Sequence, residues 1–138
     1  MSEDAAAQRL ILDLPSDLEV LAVVRAAAGL FCSRVVRHEP LRARLELPLV
    51  EAVTNAIVHA NGGDPTRRVR VRLWWRPPLA VAEVEDEGEP FALPPDTGDP
   101  PPDAEHGRGI VLMRRLTDRL ELAPLPRGNR LVLTWNVP

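Results

Sequence analysis

The stretch Val50–Gly63, VEAVTNAIVHANGG, decides how the rest of the chain is read. Its apolar residues Val50, Val53, Ala56, Ile57 and Ala60 recur at helical spacing, and Gly62-Gly63 closes the run as glycine after a helix commonly does. Glu51, Asn55 and His59 are each four residues apart, so on a helix they would share one face on consecutive turns. An Asn amide oxygen is a good hard ligand for Mg²⁺, and a carboxylate one turn away can orient a water or take a proton. Taken alone, such a stripe reads as the wet side of an amphipathic helix. Other segments decide whether it lines a site.

Working outward, the helix spans roughly Leu41 to Ala60, and Pro48 lies inside that span, where it kinks the helix or begins its regular part. Upstream, RLILDLP gives a strand over Arg9 to Leu14. Ser16 or Asp17 then caps a helix running to about Val36, with Leu18, Leu21, Ala22, Ala26, Leu30 and Phe31 at helical spacing. Downstream, RRVRVRLWW is the clearest strand: Val69, Val71, Leu73 and Trp75 face one way, Arg68, Arg70 and Arg72 the other. Pro77-Pro78 turns the chain into an antiparallel partner, LAVAEVED. A proline- and acid-rich loop from Pro90 to His106 follows, long enough to be a lid. HGRGIVLMRRLTDR continues as a third helix, and LELAPL and RLVLTWNV form two strands joined through Arg127-Gly128-Asn129. Strands and helices do not alternate strictly, which disfavours a doubly wound fold. The expectation is an α/β (α+β) two-layer sandwich: a mostly antiparallel mixed sheet of about five strands with three main helices on one face.

Composition narrows the function. At 138 residues the chain reads as one domain, 1–138, and its 15 prolines cluster between periodic segments as stiffened loops. A net charge of -3 does not point to nucleic acid. All 17 basic residues are arginine, so chemistry that requires a lysine is excluded. The single cysteine, Cys32, rules out an internal disulfide framework and reads as a core residue. The start MSEDAAAQ lacks a secretory pattern and no stretch is long enough to span a membrane, so the expected location is cytoplasmic.

Two further segments hold polar residues or glycines that packing does not need. In VEDEGEPF a strand runs into Asp86-Glu87-Gly88; such an aspartate can accept from an exocyclic amine, and Gly88 lets the backbone approach a flat ring. The bland reading is an acidic turn. In HGRGIVLM, Gly107-Arg108-Gly109 opens a helix, a place where backbone N–H groups bind phosphate and Arg108 adds a charge-assisted contact. Here the bland reading is a hinge.

In this order and spacing the three segments resemble the nucleotide-binding boxes of the GHKL ATPases, and more closely those of the stand-alone anti-sigma-factor serine kinases. EAVTNAIVHA matches that group's N-box almost residue for residue, while DEGEPF and GRGIVLM correspond to its two glycine boxes. The resemblance implies the Bergerat ATP-binding fold, with ATP and Mg²⁺ as cofactors. It implies Asn55 on the Mg²⁺, Glu51 as general base for a serine hydroxyl, Asp86 accepting from the adenine amine and Gly88 making room for the base. Gly107, Arg108 and Gly109 would wrap the phosphates, 90–106 would be the ATP lid, and Arg25 falls where the group has a partner-contacting arginine. The partners implied are a sigma factor and an anti-anti-sigma (STAS-type) antagonist phosphorylated on serine, in a partner switch; members are commonly homodimers, with no direct nucleic acid and no membrane. Pro90 stands where the first glycine box has its second glycine, Pro48 precedes Glu51, and the lid is rich in proline and acid. The alternatives are a nucleotide-gated binding module without kinase activity, the ATPase domain of a sensor histidine kinase, and a structural domain that binds no nucleotide.

Overall fold

The structure is a computed structural model that describes residues 8–35, 39–96 and 108–137. Its sheet is built around the arginine-valine alternation that the sequence displays. Strand β2 (Arg68–Arg76) pairs with β1 (Gln8–Pro15) on one side and β3 (Leu79–Asp86) on the other; β5 (Asn129–Asn136) and then β4 (Arg119–Pro124) complete the order β1-β2-β3-β5-β4. Every pairing is antiparallel, so the mixed sheet expected from the sequence contains no parallel pair among the described residues. The cause is local: hairpins join β2 to β3 through Pro77-Pro78 and β4 to β5 through a short turn.

One face of the sheet is apolar and covered. Val69, Val71, Leu73, Ala80, Ala82, Val84, Leu133 and Trp135 are all buried there, each on the parity of its strand that faces the helices. The other face carries charge. Asp13, Arg70, Glu85 and Arg130 lie side by side across four strands, with Arg72 and Glu83 on the neighbouring row. Arg72 reaches Glu85 at 3.0 Å and Glu83 at 3.5 Å, Arg130 reaches Glu85 at 3.1 Å, and Arg68 reaches Asp13 at 2.8 Å. The arginine face is thus an ion-paired ladder. The hydrogen bond from Arg68 holds the Asp13 carboxyl below its usual range.

Three helices cover the apolar face. Asp17, not Ser16, is the first cap: its carboxylate accepts from the Glu19 amide at 2.9 Å, opening a 3-10 turn that leads into α1 (Leu21–Val35). Helix α1 packs beside β1. Helix α2 (Glu39–Asn55) lies over β3 and β5, and α3 (Arg108–Leu116) lies by β4. Cys32 is in the core, where burial pushes its thiol up to about 11 and keeps it inert.

Pro48 sits in the middle of α2, buried, and neither starts nor ends it. It has no N–H to give the carbonyl four residues back, that of Arg44. The indole of Trp135, fully buried on β5, donates to that carbonyl at 3.1 Å and to the Leu116 carbonyl at 2.7 Å. Leu116 ends α3, so its carbonyl is also one that helix geometry leaves without a partner. A single N–H thereby serves the two orphaned acceptors of α2 and α3 and ties both helices to the sheet.

Trp135→Phe keeps an aromatic ring and deletes that donor. It is expected to lower unfolding stability by about 1–3 kcal/mol, read as a shift in the urea midpoint. Adding Pro48→Ala returns an N–H to Arg44 and should recover part of the loss. Additive effects of the two substitutions would show that the indole is not replacing the proline's missing donor.

Candidate functional site

Glu51 and Asn55 occupy the last full turn of α2, both half-buried. Beyond Asn55 the chain widens into a π-helical turn, Ala56–Ala60, closed by the Asn61 amide donating to the Ala56 carbonyl at 2.9 Å. The wider turn carries one residue more than an α-helical turn and changes the phase of everything after Asn55. Glu51 and Asn55 are half-buried, while His59, within the π turn, is exposed. Gly62 and Gly63 end the helix with φ of 63° and 69°, a left-handed cap that suits glycine.

The start of α3 rests on this pair. A Cβ placed on Gly109 would stand 3.1 Å from Glu51 Oε2 and 3.3 Å from Asn55 Nδ2. Glycine there leaves a narrow gap between the polar side-chain ends of α2 and the first turn of α3, the positive end of that helix. Arg108 is exposed at the same turn. Gly107 and the lid residues 97–106 lie outside the described residues, and the described part of the lid, 90–96, has no regular structure.

The second segment joins the other end of the helix. Asp86 closes β3, buried, and its Oδ1 accepts from the Gly88 amide at 2.9 Å and from Asn129 Nδ2 at 3.0 Å. Asn129 also donates to the Glu89 carbonyl at 2.9 Å, so one side chain on β5 holds both flanks of the glycine. A Cβ on Gly88 would overlap the Ala60 carbonyl. The glycine is thus demanded by the backbone of the π turn, a packing reason that the sequence does not display. Asn61 completes the joint: its Oδ1 accepts from the Glu87 amide at 2.8 Å, while its Nδ2 donates to Ser16 Oγ at 2.8 Å and to the Arg68 carbonyl at 3.0 Å. Ser16 passes the tie to the Arg67 carbonyl at 2.7 Å.

The structure therefore brings Glu51, Asn55 and Gly109 into contact and fastens Asp86 and Gly88 to the same helix through Ala60 and Asn61. Arg25 stands apart, exposed on α1. A cleft of about 260 Å³ opens beside Asp86 on the charged face of the sheet, lined by Arg68, Arg70 and Arg127. Asp86 and Glu87 line it as well, whereas Glu51 and Asn55 do not. Sequence reading misses Asn61 and Asn129 because each sits against a glycine and looks like a turn residue. Burial next to an acidic turn is the feature that sets them apart.

The donor set suits a loosely held hard cation. Among the described residues no group of three or more His, Cys, Asp or Glu could cage a metal. One amide oxygen and one carboxylate beside a gap fit an ion such as Mg²⁺, which keeps water or substrate oxygens for its remaining positions.

Comparison with known proteins gives a consistent answer. The profile of the family described as "Histidine kinase-like ATPase domain" matches residues 14–135. No curated protein matches the chain in sequence. Among solved structures, the RsbU and RsbW domains of Rv1364c from Mycobacterium tuberculosis superpose with a TM-score of 0.71 at 17% identity, over 94% of this chain and 32% of that one. The histidine kinase domain of the blue-light activated histidine kinase from Erythrobacter litoralis EL346 superposes with a TM-score of 0.58 at 19% identity, over 89% of this chain and 61% of that one. The chain therefore spans about a third and three fifths of these two neighbours, whose likeness is one of fold.

Two glycine substitutions separate packing from site. Gly88→Ala pushes a β-carbon into backbone and is expected to cost about 1–3 kcal/mol of stability. Gly109→Ala meets only the ends of two side chains, and its urea midpoint should stay near wild type. Equal losses from the two would show that α3 is as rigidly seated on Glu51 and Asn55 as Gly88 is on Ala60.

Proposed function

The chain belongs to the family of histidine kinase-like ATPase domains, and from that premise we propose that it is an ATP-dependent protein serine/threonine kinase acting as an anti-sigma regulatory factor. The observation that carries the reading is the seating of Gly109 against Glu51 and Asn55, with Asp86 and Gly88 locked to the same helix. The near-complete match of EAVTNAIVHA to the N-box of the anti-sigma-factor serine kinases supports the choice within the family.

In this reading Asp86 accepts from the adenine amine; its Oδ1 is already engaged by Gly88 and Asn129, which orients the carboxylate. Asn55 holds Mg²⁺, which when bound neutralises charge on the ATP phosphates. Arg108 and the first turn of α3, with Gly107 and Gly109, embrace those phosphates. Glu51 accepts the proton of a serine hydroxyl on an antagonist protein. The serine oxygen then bonds to the γ-phosphorus, the bond from that phosphorus to the bridging oxygen breaks, and ADP departs with the electron pair. Such transfer depends on positioning and charge neutralisation more than on covalent help, so the lack of lysine does not prevent it.

The regulatory part follows from charge. A phosphoserine adds about -1.5 to -2 charges at neutral pH. Placed on a STAS-type anti-anti-sigma antagonist, it weakens that complex and frees the kinase to hold a sigma factor, with the exposed Arg25 as a contact. The protein works in the cytoplasm under this proposal, and none of its described helices is long and apolar enough to cross a membrane.

Titration of Mg-ATP into wild type and Asn55→Ala is the direct test. Binding is expected to weaken at least about tenfold in the variant, in line with loss of a metal-linked contact. Glu51→Gln should retain nucleotide binding while phosphorylation of an antagonist serine falls about 10²-fold or more. Equal heats from wild type and Asn55→Ala would remove the metal role. ATP binding without any serine labelling by wild type would leave a nucleotide-gated binding module in place of a kinase.

A further inference from the structure

The cleft of about 260 Å³ beside Asp86 lies on the face of the sheet turned away from the helices. Strand β2 walls one side of it with Arg68 and Arg70, and the turn between β4 and β5 walls the other with Leu125, Pro126 and Arg127. The end of β3, with Glu85 and the two acids after it, runs between these walls. The turn is tightly seated. A Cβ on Gly128 would overlap the Asp86 carbonyl, its φ is 102°, and its carbonyl accepts from the Leu125 amide at 3.1 Å. Arg127 is therefore carried on a fixed mount.

The charges around the cleft do not cancel locally. Arg68 and Arg70 share one carboxylate, that of Asp13, at 2.8 and 3.6 Å. Glu85 stands opposite Arg70 in the ladder, yet its ion pairs go to Arg72 and Arg130 at 3.0 and 3.1 Å. The Asp86 carboxylate falls on the helix side by strand alternation, where its Oδ1 accepts from Gly88 and Asn129. The guanidinium of Arg127 is exposed and has no partner among the described residues. Three guanidiniums thus border one cleft, and a single carboxylate is committed to them. Glu87 keeps acceptor capacity at the rim: it is exposed, and its Oε1 accepts only the Arg68 amide, at 3.2 Å.

We propose that this cleft binds a small phosphate monoester. The phosphate lies between Arg70 and Arg127, the carbon body rests against Leu125 and Pro126, and a hydroxyl of that body donates to Glu87. A phosphate offers acceptor oxygens in several directions and carries close to two charges, which suits guanidiniums that approach from two walls; a carboxylate offers one edge and one charge. The volume limits the body to a few carbons, since sites for drug-sized ligands begin at about 300 Å³. Glu87 adds a second requirement. Bare phosphate would leave its carboxylate facing another anion, whereas a hydroxylated ester gives it a donor. The inference uses neither Asn55 nor the start of α3, and it stands whether or not the chain is a kinase.

The test titrates glycerol 3-phosphate into the full chain, with inorganic phosphate as the reference, in a buffer free of phosphate and sulfate. Calorimetry gives the affinity and amide NMR the location. Glycerol 3-phosphate should bind more tightly than inorganic phosphate, shift the amides of Glu87, Arg127 and Gly128, and stay bound in excess Mg-ATP. Arg70→Glu and Arg127→Glu should each weaken it at least about tenfold, the loss of one charge-assisted hydrogen bond, and Arg127→Lys should retain part of the affinity. Glu87→Ala should narrow the gap between the two ligands. Both arginines are exposed, and circular dichroism reports whether each variant is folded. Absence of binding at millimolar glycerol 3-phosphate overturns the proposal. Displacement by Mg-ATP, or shifts centred on Asn55 and Gly109, overturns it by moving the ligand to the nucleotide site. An affinity unchanged in Arg127→Glu overturns it equally.

Discussion

The missing N–H of Pro48 is the constraint from which the arrangement of the helices follows. A proline in mid-helix leaves the carbonyl of Arg44 without its usual donor in a buried position. The cost of leaving it unpaired is comparable with a sizeable part of a domain's net stability. Trp135 resolves this from the sheet, and its second bond, to Leu116, fixes the end of α3 at the same point. The helix bearing Glu51 and Asn55 and the helix bearing Gly109 are thus registered against one indole. A proline close to a candidate base is, in this chain, part of what aims that base.

Two buried amides do the corresponding work at the other side of the site. Asn61 joins the end of the π turn to β2, to Ser16 just after β1, and to the residue after Asp86; Asn129 joins β5 to both flanks of Gly88. Each spends its donors and acceptor on backbone or on a neighbouring polar side chain, as a buried amide must. A neutral amide can make these ties without adding charge beside the buried Asp86. The close passage of Gly88 over Ala60 is possible only because these bonds hold the turn in place.

The strands are legible in the sequence because Val69, Val71 and Leu73 alternate with arginines, and period-two patterning is the direct mark of a half-buried strand. The helix carrying Glu51 and Asn55 is equally legible, since four-residue spacing projects both from one side. The π turn that holds His59 leaves no mark in apolar periodicity; it depends on how the Asn61 cap closes. The role of Pro48 is ambiguous in the sequence for a related reason. The donor that compensates it, on Trp135, lies 91 residues from Arg44 along the chain, beyond the reach of any local pattern. Gly88 stands out in the sequence, but the space it yields is taken by the backbone of Ala60, and only the fold brings those two together.

A lysine-free chain is also consequential for the outer face of the sheet. Each guanidinium is planar with several donors, so Arg72 and Arg130 each reach both Glu83 and Glu85, at 3.0–3.9 Å. An ammonium would serve one carboxylate well and the other poorly. The result is a face on which these guanidiniums and carboxylates pair with one another. At the start of α3 the positive helix end and Arg108 coincide. At the outer rim the ladder stops at Asp13, which has Arg68 and Arg70 on one side and the sheet edge on the other.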